Sequence, residues 1–221
     1  MTLKLPTLEV NPPAGIADAS VIWLHGLGAS GHDFLPVAEQ LSLLYPTVRF
    51  VLPHAPMRAV RANQGVRMRA WYDFYSWDFR EHEDVSGLQA MEQSINQLIE
   101  DEQALGIPSH RIVLAGFSQG GAMALYAGLR YPHRLAGIIA LSTYLPDSVA
   151  LADSVANSAA AMPIFLAHGR YDGVIPLAMA TAARQMLEAC GCAVRWHCYA
   201  MEHNVVDEEI QDIAKFLGKV L

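Results

Sequence analysis

Residues 111–130, Arg-Ile-Val-Leu-Ala-Gly-Phe-Ser-Gln-Gly-Gly-Ala-Met-Ala-Leu-Tyr-Ala-Gly-Leu-Arg, constrain the fold more than any other stretch of this chain. Ile112 to Ala115 is a short apolar run that reads as a buried strand, and an alanine-rich helical pattern follows Ser118 at once. Between them lies Gly116-Phe117-Ser118-Gln119-Gly120, a G-x-S-x-G turn. Such a turn needs small residues two before and two after the serine, because a side chain there would strike the adjoining strand or helix. A chance G-x-S-x-G arises in about one chain in fourteen of this length. Very few of those also join a buried strand to a helix.

The other apolar runs give the same architecture. Ser20–Leu24, Arg49–Leu52, Leu135–Leu141, Ile164–Ala167 and Ala193–Tyr199 read as strands, with one edge strand before the turn at Asn11-Pro12-Pro13. Helical spacing appears in Phe34, Val37, Ala38, Leu41 and Leu44, over about 85–105, over about 176–190, and in Val206, Ile210, Ile213, Ala214 and Leu217. Strands that are apolar throughout and alternate with helices predict a mostly parallel sheet covered on both faces. Residues 53–84 are the least regular part, with four arginines (Arg58, Arg61, Arg67, Arg69) read as solvated surface and an aromatic run from Trp71 to Trp77. A loop of that length in a compact domain is usually functional. The segment 143–162 reads as a loop too short for a helical lid.

Composition narrows the function. The 221 residues fit a single domain, 1–221, and 52% hydrophobic against 17% charged residues implies thick buried layers. A net charge of −7 excludes an ordinary nucleic-acid binder. No apolar run approaches the length of an integral membrane span, and the N-terminus lacks a signal-peptide pattern. The three cysteines (Cys190, Cys192, Cys198) form an odd, local set, which reads as reduced thiols in a cytoplasmic protein. A Cys-x-Cys metal site with His197 is the weaker reading of the same residues, so neither metal nor cofactor is expected.

A serine hydroxyl needs a neighbouring base, and the elbow motif places acid and histidine after the serine in the chain. That order removes His25 and His110, and His133 and His168 precede the best acid. His197 lies within a strand, whereas His203 lies just past it, where a loop can carry it over the serine. Asp147, Asp153 and Asp172 fall in the window for the acid. Asp172 leaves a well-marked strand immediately before the histidine-bearing one, and sequential strands tend to be neighbours. Ser118, Asp172 and His203 are therefore the expected nucleophile, acid and base. The backbone N–H of Gln119, at a helix N-terminus, suits a developing oxyanion, and a second donor should come from the glycine-rich loop at 25–31. His25 in that loop reads as a structural hydrogen-bonding residue.

His25-Gly26-Leu27-Gly28, Trp71-Tyr72-Asp73, the elbow, His168-Gly169 with Asp172, and His203 together resemble the small bacterial carboxylesterases of the α/β-hydrolase superfamily, relatives of acyl-protein thioesterases and lysophospholipases. The resemblance spans nearly the whole chain in order. It implies an α/β-hydrolase fold without a large cap domain and a triad of Ser118, Asp172 and His203. It also implies an oxyanion hole from the Leu27 and Gln119 amides, an acyl groove lined by the loop around Trp71, and a homodimer. Ala29 stands where the family often carries a polar residue, which alters the rim and not the chemistry. The expected substrates are small-molecule or lipid-like esters of short-to-medium acyl chains, with an acylated protein or a lysophospholipid as alternatives. A silent hydrolase-fold binding protein is the rival from another class.

Overall fold

The computed structural model describes residues 3–76, 83–146 and 161–221. Among these, seven strands form one sheet: β1 (Thr7–Val10), β2 (Ala19–Leu24), β3 (Val48–Pro53), β6 (Ile112–Phe117), β7 (Gly137–Leu141), β8 (Pro163–Gly169) and β9 (Ala193–Tyr199). Their order across the sheet is β1-β3-β2-β6-β7-β8-β9, with β1 antiparallel at one edge and every other pairing parallel. The central strands β2 and β7 are buried at every residue, as both faces of a parallel sheet demand.

Alternation along the strands divides the core in two. Ile22, Leu24, Leu114, Ile138 and Leu166 point to one face, which is covered by α2 (Val85–Ala104), α3 (Gln119–Arg130) and α4 (Leu177–Ala189). Val21, Trp23, Val113, Ile139 and Phe165 point to the other, against α1 (Leu35–Leu44) and α5 (Asp207–Val220). Burying an apolar side chain such as Ile213 or Phe216 of α5 contributes about 1.5–3 kcal/mol each. The fold is that of an α/β-hydrolase.

Two local expectations are corrected. Leu44 was expected on the buried face of α1 but is 61% exposed. The helix ends there, and Tyr45 turns inward instead, its hydroxyl donating to the Ala214 carbonyl of α5. The irregular stretch after residue 53 contains an antiparallel hairpin, β4 (Met57–Val60) and β5 (Val66–Arg69). Its turn places Gln64 and Gly65 at positive φ (55° and 77°), a geometry glycine adopts without strain. The alternation Val66-Arg67-Met68-Arg69 was the legible signal for that hairpin. Trp77, Asp147, Asp153 and most of the loop expected at 143–162 lie outside the described residues.

Candidate active site

The elbow is shaped by backbone crowding. A methyl group on Gly116 would clash with the Gly120 backbone, and one on Gly120 with the Leu24 and His25 carbonyls. Only glycine lets strand, turn and helix approach so closely. Ser118 between them adopts φ 55° and ψ −122°, a region costly for a residue with a side chain. Three hydrogen bonds hold it there. Its N–H donates to the Leu141 carbonyl (2.9 Å), and its own carbonyl accepts from the Thr143 hydroxyl (2.7 Å) and the Ala122 N–H (3.0 Å).

The loops after the adjacent strands β8 and β9 carry Asp172 and His203, the expected acid and base. Arg170 N–H donates to the Tyr199 carbonyl and Tyr171 N–H to the Met201 carbonyl, so the two loops run side by side (2.8 and 3.0 Å). Gly169 permits that approach, because a side chain there would strike the Glu202 and Met201 carbonyls. His203 Nδ1 then lies 2.7 Å from Asp172 Oδ2, and His203 Nε2 lies 3.0 Å from Ser118 Oγ. A carboxylate only accepts, so Nδ1 carries the hydrogen and the bare Nε2 faces the hydroxyl. The ring is packed on Phe117, 4.8 Å between centroids. Asp172 Oδ1 accepts the Val174 and Ile175 N–H groups, each at 2.9 Å. Three side chains far apart in the chain are thus linked in a relay that can draw a proton from a hydroxyl.

Leu27 and Gln119 line the same cavity as Ser118. Neither backbone N–H has an acceptor among the described residues, which leaves both available to an oxyanion. The loop bearing Leu27 is tied down from the 53–71 segment. Gly28 N–H donates to the Arg69 carbonyl (2.8 Å), His25 Nδ1 lies 2.7 Å from the Gly26 carbonyl, and Ala55 N–H donates to His25 Nε2 (3.0 Å). Burial pushes the His25 ring down to about 4, so it is neutral at physiological pH.

Trp71 is the clearest departure from expectation. It does not line the cavity; it is fully buried, and its indole N–H donates to the His25 carbonyl (2.7 Å). Its backbone N–H donates to Gln119 Oε1, while Gln119 Nε2 donates to the Tyr72 carbonyl, both at 2.9 Å. The Gln119 side chain therefore clamps the Trp71-Tyr72 peptide to the elbow, a contact that spacing along the chain does not reveal. Of the neighbouring aromatics, Phe74 lines the cavity. Tyr72 instead pairs with the Tyr144 hydroxyl (2.6 Å), and Tyr75 lies under the Arg61 guanidinium. The arginines are not all solvated: Arg69 donates to the Ala55 carbonyl (2.9 Å) from a half-buried position. His197 lies within β9, stacks on Phe165 and sits 3.4 Å from Asp212, and does not line the cavity.

The cavity holds about 570 Å³, room for a small ligand. Its walls are largely apolar, with Phe34, Val37, Met68, Phe74, Val205 and Ile210 around the Ser118–His203 pair. Ala29 lies on its wall, at the position where the sequence departs from the family it resembles.

A family model described as phospholipase/carboxylesterase matches residues 5–221. Acyl-protein thioesterase 1 of Neurospora crassa is 40% identical over 228 residues, covering 99% of this chain and 93% of that relative. Among solved structures, Arabidopsis thaliana SOBER1 superposes with a TM-score of 0.86 at 28% identity, covering 91% of this chain and 98% of its own. Zea mays acyl-protein thioesterase 2 gives a TM-score of 0.84 at 27% identity, covering 97% and 98%. Among the described residues no helix is long and apolar enough to cross a membrane.

Proposed function

We infer, from the premise that this chain belongs to the phospholipase/carboxylesterase family, that it hydrolyses carboxylic esters through an acyl-enzyme on Ser118. The observation that carries this reading is the unbroken contact from Asp172 Oδ2 through His203 to Ser118 Oγ, 2.7 and 3.0 Å, opening on an apolar cavity. Ser118 Oγ attacks the acyl carbon as His203 Nε2 takes the hydroxyl proton. The Leu27 and Gln119 N–H groups stabilise the resulting oxyanion. Collapse expels the alcohol or thiol, which leaves with the proton from Nε2. A water then attacks the acyl-serine, gives its proton to Nε2, and the acid departs as Ser118 recovers its hydrogen. Asp172 stays ionised throughout and stabilises the imidazolium.

The apolar walls suit a short-to-medium acyl chain. A second reading, a protein-linked acyl thioester as substrate, is favoured by the 40% likeness to a protein named acyl-protein thioesterase 1. The same serine chemistry serves both, since a thiolate simply replaces the alkoxide as leaving group. Paired oxygen esters and thioesters of increasing chain length, measured as kcat/KM, separate the two. Ser118→Ala is expected to lower hydrolysis of a chromogenic butyrate ester by about 10⁴-fold or more and to abolish fluorophosphonate labelling. A variant that keeps most of the activity overturns the assignment.

A further inference from the structure

A second histidine touches the acid. His168, next to last in β8, is fully buried, and its Nε2 lies 2.8 Å from the Ile175 carbonyl and 3.3 Å from Asp172 Oδ2. Both neighbours are acceptors, so Nε2 carries the hydrogen, and the bond it makes is the one to the Ile175 carbonyl. Nδ1 is buried with no hydrogen-bond partner among the described residues. A second ring proton would sit there uncompensated, so the ring is neutral. Burial lowers its basicity first, and the nearby His203 lowers it further, against a pull from the Ile175 carbonyl and Asp172.

These contacts form a short chain. His168 Nε2–H binds the Ile175 carbonyl, Ile175 N–H binds Asp172 Oδ1, and Asp172 Oδ2 accepts from His203 Nδ1. A carboxylate held by one oxygen can rotate about its Cβ–Cγ bond. Here two N–H groups also fix the direction of Oδ1, which turns Oδ2 toward His203 Nδ1. The charge on the ring matters as well. A cationic ring 3.3 Å from Asp172 Oδ2 would neutralise the carboxylate and weaken its hold on the imidazolium, whereas a neutral ring leaves that charge in place.

We propose that His168 is a positioning residue for the acid: a neutral Nε2–H donor to the Ile175 carbonyl that locks the turn whose Val174 and Ile175 N–H groups hold Asp172 Oδ1, and so turns the carboxylate toward His203. The proposal rests on the reading of Asp172 as the acid of the relay. Losing the donor has two consequences. The turn at 172–175 loosens, and Asp172 Oδ1 loses part of its N–H support, which leaves more negative charge on the carboxylate facing His203 and makes that ring easier to protonate.

The test compares His168→Phe, which keeps a ring and lacks the donor, with His168→Gln, whose amide nitrogen can reach the Nε2 position. His168→Asn, too short to reach it, serves as a second donor-free variant if the Phe variant does not fold. Active sites are counted by fluorophosphonate titration, so a drop in folded fraction does not pass as a drop in kcat. The expected result for Phe or Asn is a kcat about tenfold to a hundredfold lower, with KM for a butyrate ester within about twofold. The acid limb of the kcat/KM profile should move upward by about half a pH unit. His168→Gln should restore most of both. An active wild type whose donor-free variants keep the wild-type acid limb, or which Gln fails to rescue, overturns the role of His168 alone. A wild type that neither labels nor hydrolyses overturns the serine-hydrolase reading and this proposal with it.

Discussion

The two halves of the site are each braced by a buried, neutral histidine, and the braces differ. On the oxyanion side, both nitrogens of His25 are used, and both partners are backbone groups, Gly26 and Ala55. On the acid–base side, one nitrogen of His168 is left bare, and the other donates to the Ile175 carbonyl, with the Asp172 carboxylate 3.3 Å away. The working groups explain the contrast. An oxyanion hole made of backbone N–H groups needs only a loop held still, so a histidine saturated with backbone contacts suffices. A carboxylate must be held still while keeping its charge, so the ring that braces its turn at so short a distance must not be cationic.

The comparison breaks first at the acid. Asp172→Asn keeps the size of the side chain but presents the wrong hydrogen-bonding pattern to His203, and kcat is expected to fall by about 10⁴-fold. Steady-state kinetics on an active-site-titrated sample decide it. A loss of less than about tenfold would place the charge elsewhere.

A pH effect should isolate the oxyanion side. His25 is lowered from 6.5 to about 4, so the unfolded chain binds a proton that the folded chain refuses. Its contribution is intact above pH 6.5 and is lost as pH falls to about 4, amounting to about 3 kcal/mol. Urea unfolding at pH 7 and pH 4.5 should show this loss in the wild type and a smaller one in His25→Asn. Equal slopes in the two proteins would contradict the burial of a neutral ring.

Smaller effects sharpen the contrast. Trp71→Phe removes the indole donor from the His25 carbonyl and is expected to cost about 1–3 kcal/mol. It should lower kcat through the oxyanion loop and leave the acid limb of the pH profile where it is. That profile separates it from the His168 variants, and a shifted limb would deny the division into halves. Tyr144→Phe removes one hydroxyl of the Tyr72–Tyr144 pair, which links the Trp71 segment to the strand end beside Ser118. A loss of about 1 kcal/mol in thermal unfolding, with kcat changed by less than a few-fold, is the expected outcome.

Much of this molecule is written in local rules. The apolar strands, the elbow glycines and the positions of Ser118, Asp172 and His203 just past strand ends follow from backbone sterics and from the order of strands along the chain. Such features involve residues within a few positions of one another, or elements whose adjacency the parallel topology dictates. Boundaries shifted by a residue or two, as where β7 starts at Gly137 rather than Leu135, because fraying ends answer to packing.

The braces came only with the tertiary structure. Trp71 was expected in the groove because the family resemblance implies it, but its indole finds an acceptor 46 residues away and is buried. The Gln119 side chain meets the Tyr72 carbonyl across 47 residues, and nothing in its immediate neighbourhood marks that contact. His168 lies four residues before Asp172, close enough to have been considered, yet its part depends on a turn that folds Ile175 back over the ring. Sequence determined where the reactive groups stand, because local sterics and strand order place them. What orients those groups was decided by hydrogen bonds between distant segments, which exist only once the sheet has brought them together.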